Sequence, residues 1–381
     1  MLFDSFFIGG FECSSHRLRN GRRLDLIHAT RHDQFAELDY RRLVEFGIRT
    51  ARDGIRWHLI ETEPYHYDFS CVLPMIASAQ CAGVQVIWDL FHYGWPHDLD
   101  IFSPEFIHRF SALARAFASR LRSETDDVPF ISPVNEPSFV SWAGGDAGFL
   151  NPFATGRDGE IKAQLIRASI AAIEAVWDEC PGARIVQCEP AIHIIADLKL
   201  PQDKEAAENY RLAQFQSIDM LTGRVAPELG GKPEYLDILG INYYCNNQWI
   251  HNGDPVYPFH PRYRPFREII AEFYQRYQRP IFVAETGIED EARPGWLAYV
   301  ASEVRGALNH GVPVEGICIY PVLNHPGWVD DRHCYNGLFD YADTSGNRET
   351  FEPLARELKV QQSAMMHFAG KQMEGPLPSE A

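Results

Sequence analysis

Eight short apolar runs, each followed by a longer segment of helical period, set the strongest limit on how this chain can fold. The runs are rich in Val, Ile and Phe and cover residues 6–11, 48–57, 84–91, 129–135, 184–189, 236–244, 280–285 and 316–321. Near-continuous apolar strands of this kind suit a parallel sheet covered on both faces. Helices are expected near 37–46, 73–82, 104–122, 160–179, 203–219, 266–277, 295–310 and 350–366. Ser103-Pro104-Glu105 supplies one start signal, a capping residue followed by proline at the first helical position. Eight strand–helix pairs in strict order predict an α/β fold that closes into a (β/α)8 TIM barrel. An open doubly wound sheet is the alternative. It is disfavoured because no Gly-x-Gly-x-x-Gly turn follows the first strand, and Gly9-Gly10 lies inside that strand. The expected organisation is a single barrel domain over 1–366 with a loose tail over 367–381.

Charge and composition narrow the partners. A formal net charge of -17 opposes binding to nucleic acid, whose phosphates need a basic face, and to an anionic membrane. No run of about 18 apolar residues offers a membrane span. The opening Met1-Leu2-Phe3-Asp4-Ser5-Phe6 lacks the basic and apolar regions of a signal peptide. The eight cysteines are scattered without a Cys-x-x-Cys, which suits reduced thiols in a cytoplasmic protein. Histidines at the strand ends show no ligand spacing, so neither a catalytic metal nor another cofactor is expected.

The chemistry is expected at the carboxyl ends of the strands, where barrels of this type carry their active sites. The fourth strand ends in Asn135-Glu136-Pro137 and the seventh in Ala284-Glu285-Thr286-Gly287. Two carboxylates thus approach one cavity from separate strands, the arrangement that hydrolysis of a glycoside requires. A lone Glu at a strand end is more often a solvated loop residue. The pair outweighs that plainer reading.

These motifs resemble those of the (β/α)8 retaining glycosidases, and within that clan most of all the family 1 glycosidases, the β-glucosidases and their relatives. Asn135-Glu136-Pro137 is similar to the family's strand-four motif, and Glu285-Thr286-Gly287 stands where its strand-seven motif does. Arg52-Asp53-Gly54-Ile55-Arg56-Trp57, His92-Tyr93-Gly94-Trp95-Pro96 and Gly240-Ile241-Asn242-Tyr243-Tyr244 resemble its segments at strands two, three and six. The stretch from Gly316 to Trp328, then Gly337-Leu338-Phe339-Asp340, completes a resemblance that spans residues 6–340 in order. It implies Glu136 as acid/base and Glu285 as nucleophile. It also implies a retaining β-glycoside hydrolase acting by double displacement on a carbohydrate substrate. Two departures bear on the sugar: Glu12 stands for a sugar-binding Gln, and Gly327 for a Glu before the strand-eight Trp. Glu136 and Glu285 are also closer in sequence than is usual in the family, which predicts trimmed loops and a more open cleft.

Other roles are expected around the pair. Arg52 and Tyr244 would hold Glu285, against the plainer readings of an internal ion pair and of strand-end packing. Asn135 would meet the sugar's 2-hydroxyl, and His92 would donate to another hydroxyl. Trp328 and Trp142 are expected as stacking platforms, with Trp95 a weaker candidate. Asn324 and His325 are possible contacts in the altered strand-eight loop, and Glu189 is a secondary carboxylate. Two rivals remain open: a transglycosylase using the same residues, and a carbohydrate-binding or inactive barrel.

Overall fold

The computed structural model describes residues 2–373. Its core is a closed barrel of eight parallel strands in sequence order: β1 (Phe7–Gly10), β2 (Thr50–Gly54), β3 (Gln85–Asp89), β4 (Phe130–Ser132), β5 (Arg184–Pro190), β6 (Ile238–Asn242), β7 (Ile281–Thr286) and β8 (Val314–Ile319). Closure is made by β1 against β8, with Phe7 opposite Ile317 and Gly9 opposite Ile319. The eight expected strands are all present: β1, β2, β3, β4 and β6 are trimmed, β5 runs one residue further to Pro190, and β7 and β8 are shifted by one and two residues. The run at 48–57 stops at Gly54, because Trp57 opens a short helix, Trp57–Ile60, and packs its ring against Phe106 and Phe110.

Alternation along the strands sorts side chains into two layers. Ile8, Ile87, Phe130, Val186, Ile238, Phe282 and Cys318 meet inside the barrel. Their neighbours Phe7, Ala51, Trp88, Ile131, Ile185, Ile241, Val283 and Ile317 face the surrounding helices. On β2 the inward place is taken by Arg52, fully buried, while Asp53 points outward. A charge among apolar neighbours is costly unless paired, which marks Arg52 for function before its partners are known.

The outer layer contains α1 (His32–Glu45), α2 (Leu73–Ala82), α3 (Pro104–Glu124), α4 (Asp158–Glu179), α5 (Gln216–Leu221), α6 (Phe266–Tyr277), α7 (Arg293–Asn309) and α8 (Glu352–Met373). On α3 the stripe Phe106, Phe110, Leu113, Phe117 and Leu121 repeats at helical spacing and is buried throughout. Ser103 stands just before this helix, but its hydroxyl bonds the carbonyl of Asp100 at 2.8 Å instead of capping. The helix expected over 203–219 is two pieces, Lys204–Leu212 and α5. The first buries only Ala207, whereas α5 buries Ser217 to Leu221, and the 3-10 turn Ala213–Phe215 joins them. Helix α8 runs past the expected boundary at 366 to Met373, and the remainder of the expected tail lies outside the described residues.

An ion network joins α1 to the outer face of β2. His32 reaches Asp39 and Asp53 at 2.9 Å each, Tyr40 donates to Asp53 at 2.7 Å, and Arg348 donates to Asp39 at 2.7 Å. Burial works against a charge on His32, but Asp53 and Asp39 outweigh it and lift the imidazole to about 9. A raised histidine stabilises the fold fully below its unfolded value of about 6.5, and that stability is lost as pH rises through about 9. The expected loss is on the order of 3 kcal/mol between pH 6.5 and 9.5, read by urea unfolding. In His32→Gln this part of the pH dependence disappears. An unchanged slope in that variant would remove the network from the account.

Candidate active site

At the carboxyl end of the barrel, Arg52 draws together side chains from several strands. Its guanidinium donates to Glu285 Oε1 at 2.7 Å and to Asn135 Oδ1 at 2.8 Å, and it pairs with Asp89 Oδ2 at 2.8 Å. Burial would lower its pKa, yet Asp89 and Glu285 hold it well above the usual arginine value. Glu285 also accepts from the Tyr244 hydroxyl at 2.8 Å. Both contacts are donors, which suits an acceptor-only carboxylate. The aim of Glu285 depends on a local irregularity. Phe282 and Ala284 point into the barrel, so strict alternation would send Glu285 outward. A shift of register between Val283 and Glu285 against β6 turns it in.

Glu136 arrives by a different route. It follows β4 with a left-handed backbone, φ 48°, and Pro137 opens the helix Pro137–Gly145 behind it. A non-glycine residue in this region is strained by about 1–3 kcal/mol and needs support. Support comes from its own N–H, which donates to the Cys188 carbonyl at 3.0 Å. The carboxyl accepts from Asn242 Nδ2 at 2.9 Å and from the Tyr93 hydroxyl at 3.0 Å. Burial, then the charge of Glu285, pushes Glu136 up to about 8.

The remaining expected residues divide into those that join this cluster and those that do not. Asn135 is fully buried and bonded at both ends, donating to the Tyr93 hydroxyl at 2.9 Å and approaching His92 Nε2 at 3.2 Å. His92 is held from both sides, with Nδ1 3.0 Å from Asp89 Oδ2 and Nε2 3.2 Å from Asn135 Nδ2. Glu12 takes both donors of Ser14 on Oε1, at 2.9 and 2.5 Å, with His92 Nε2 3.8 Å away.

Trp328 is half-buried beside Tyr93 and His16, with ring centroids at 5.6 and 5.1 Å. From Tyr93 a run of rings leads outward through Phe139 and Trp142 to Phe149, in steps of 5.6, 6.0 and 5.5 Å. Trp142 is 40% exposed and available as a platform. Trp95 is not: it is buried, stacked on Phe91 and bonded to the Leu99 carbonyl at 2.9 Å. Asn324 braces its loop, donating to Asp340 at 2.9 Å and accepting from the Gly337 N–H at 2.8 Å. His325 touches the Pro326 carbonyl at 2.8 Å and Asn336 at 3.0 Å. A Cβ at Gly327 would meet the Asp330 carboxylate at 2.3 Å, so a side chain there would displace Asp330. Glu189 is buried behind Glu136, bonded on one oxygen to Ser217 and Ser138, and burial pushes it up to about 7.

Sequence reasoning missed Tyr93, Asn242, Asp89, His16 and Tyr320. Asn242 and Tyr93 stood inside quoted motifs without a role. Cys13, Asp89 and His92 lie close enough together to suggest metal ligands. Asp89, however, already pairs with Arg52, and burial pushes the Cys13 thiol well above its ordinary value, away from the thiolate a metal needs.

The β-glucosidase of Thermotoga maritima, solved in complex with glucoimidazole, superposes over 94% of this chain and 99% of its own with a TM-score of 0.77. The fold is that of the family 1 β-glucosidases. A second structure, described as a family 1 β-glucosidase from the same organism, matches with a TM-score of 0.77 over 94% of this chain and 97% of its own. A hyperthermophilic β-glucosidase mutant gives 0.73 over 93% and 98%. Sequence identity in these three is only 15%, 15% and 16%, so the likeness is one of fold. A β-galactosidase of Sulfolobus acidocaldarius is 26% identical over 274 residues, which cover 62% of this chain and 53% of the enzyme. The chain thus spans about half the length of the curated relative it matches. No family model matches the chain.

Arg52 is the residue on which this arrangement depends most. In Arg52→Met, Asp89 and Glu285 are left as buried charges without their partner, at a cost of about 3–5 kcal/mol. Urea unfolding of the variant beside wild type checks this, and a loss under about 1 kcal/mol would contradict it.

Proposed function

We propose that this protein is a retaining β-glycoside hydrolase. Glu136 protonates the leaving oxygen while Glu285 attacks the anomeric carbon, forming a covalent glycosyl-enzyme. Water then enters, Glu136 takes its proton, and the sugar leaves with its original β configuration. The observation that carries the reading is the contrast between the two carboxyls. Glu285 meets a guanidinium and a phenol, both donors to an anion. Glu136 lies fully enclosed beside that anion and retains a proton to about 8.

The same contrast explains the change of role. Once Glu285 is esterified, its charge is gone, and with it the larger of the two neighbouring charges that, beside burial, raise Glu136. Glu136 then ionises more readily, as the base of the second step must. Tyr93 and Asn242 hold its carboxyl in place through both steps. Exposed Trp142 and half-buried Trp328 offer apolar faces to the substrate on either side of Phe139. The known fold neighbours are β-glucosidases, and the partial sequence relative is a β-galactosidase, so a β-linked neutral sugar is the substrate class to try first.

Proton NMR of the first sugar released from an aryl β-glycoside tests the stereochemistry. Retention gives the β-anomer first, with the α-anomer growing only through mutarotation. An α-anomer at the earliest times would replace the double displacement by a single inversion.

A further inference from the structure

Glu136 opens a helix that it does not cap. Its backbone stands at the N-cap of Pro137–Gly145, where a side-chain oxygen ordinarily accepts from the N–H two or three residues on. Both oxygens of Glu136 are engaged elsewhere, Oε1 by Asn242 and Oε2 by the Tyr93 hydroxyl. Pro137 has no N–H, so the first donor of the helix is the N–H of Ser138. That donor is met from outside the helix. Glu189 Oε1, near the end of β5, accepts it at 3.3 Å, as the side chain of an N-cap residue would.

The surroundings hold Glu189 in this role. It is 1% exposed, and the same oxygen accepts from Ser217 Oγ on α5, which in turn accepts from Ser138 Oγ at 3.2 Å. The preceding residue, Cys188, bridges Asn135 and accepts the Glu136 N–H through its carbonyl at 3.0 Å. Two consecutive residues of β5 therefore grip the turn at Glu136 and at Ser138, on either side of Pro137. The left-handed backbone of Glu136, φ 48°, is what such a grip must maintain.

Glu189 is also a charge. Its Oε2 is buried and has no partner among the described residues. Lys162 of α4 acts on it favourably, but that ammonium donates to Gln216 at 2.7 Å. Asp219 of α5 is engaged by Arg276. Burial pushes Glu189 up to about 7, so it is ionised through the range in which Glu136, at about 8, gives up its proton. An anion there suits the positive end of the helix. Glu285 and Glu189 are the negative charges that act on Glu136, while the phenols of Tyr93 and Tyr244 are kept neutral by burial.

We propose that Glu189 is a positioning residue for the acid/base, capping from β5 the helix that Glu136 opens and keeping a second negative charge behind it. The proposal rests on Glu136 being the acid/base and adds how its turn and its proton are held.

Two substrates and two variants test this. A methoxyphenyl β-glycoside needs a proton on its leaving oxygen, whereas a dinitrophenyl β-glycoside does not. Glu189→Leu removes cap and charge together. It is expected to lower kcat/KM by about 10²-fold for the first substrate and by less than about threefold for the second. Glu189→Gln returns an acceptor to Ser138 and recovers most of that loss. It lacks the charge, however, so Glu136 ionises more readily and the alkaline limb of kcat/KM moves to lower pH. Equal losses on the two substrates, no loss in Glu189→Leu, or an alkaline limb that Glu189→Gln leaves in place overturns the proposal. NMR titration of protein carrying isotope-labelled glutamate carboxyls reads the same coupling without turnover. The Glu136 signal, known by its absence from Glu136→Gln, is expected to titrate at lower pH in Glu189→Gln than in wild type. An unmoved midpoint overturns the proposal. Wild type that cleaves neither substrate refutes the catalytic reading, and the NMR titration then judges the positioning alone.

Discussion

Glu285→Ala is expected to lower kcat on an aryl β-glycoside by at least about 10⁴-fold while leaving the fold intact. The size of the effect follows from what the carboxylate does in the proposed mechanism. It forms the bond to the anomeric carbon, and it is the carboxylate that Arg52 and Tyr244 hold between them. Shortening the side chain also leaves space for a small anion. Added azide should therefore restore part of the turnover and yield an α-glycosyl azide, because the anion attacks from the nucleophile's face. Rescue with a β-azide, or a loss under about tenfold, would show that Glu285 does not make that bond.

Glu136→Gln is expected to lower kcat/KM by about 10²–10⁴-fold for substrates whose leaving group needs a proton. The loss should shrink for a dinitrophenyl glycoside, whose leaving group departs as a stable anion. The pH profile supplies a second readout. Glu136 must carry a proton to act as acid, so wild-type kcat/KM falls as pH rises through about 8. In the variant that alkaline limb is absent. An alkaline limb that persists unchanged in Glu136→Gln would assign the titration to another group, with Glu189, at about 7, the nearest candidate.

The barrel is legible in the sequence because a parallel strand buried on both faces leaves an apolar run, and the eight runs alternate with helical stretches. The two carboxylates are legible because strand ends are fixed points of such a fold. What the sequence does not carry is aim. Alternation from Phe282 and Ala284 predicts an outward Glu285, and the register shift of β7 against both β6 and β8 turns it inward. That shift shows in the pairing of β7 with both its neighbours and leaves no mark in its residue types. The left-handed backbone of Glu136 and Tyr93 is likewise invisible in residue type. Trp95 and Trp328 stand in similar Pro- and Gly-containing segments, yet one packs on Phe91 in the core and the other borders the cleft. Asn242 gains its role by reaching Glu136 across β5, a contact between residues far apart in sequence.

Intact-protein mass spectrometry after incubation with an activated 2-deoxy-2-fluoro-β-glycoside tests the central claim most directly. The fluorine slows both steps, and the activated leaving group restores the first, so a covalent intermediate accumulates. The account predicts one added glycosyl mass on wild type, mapped by peptide sequencing to Glu285 and absent in Glu285→Gln. An adduct on any other residue, or hydrolysis of the parent glycosides with no adduct from their fluorinated forms, would contradict it.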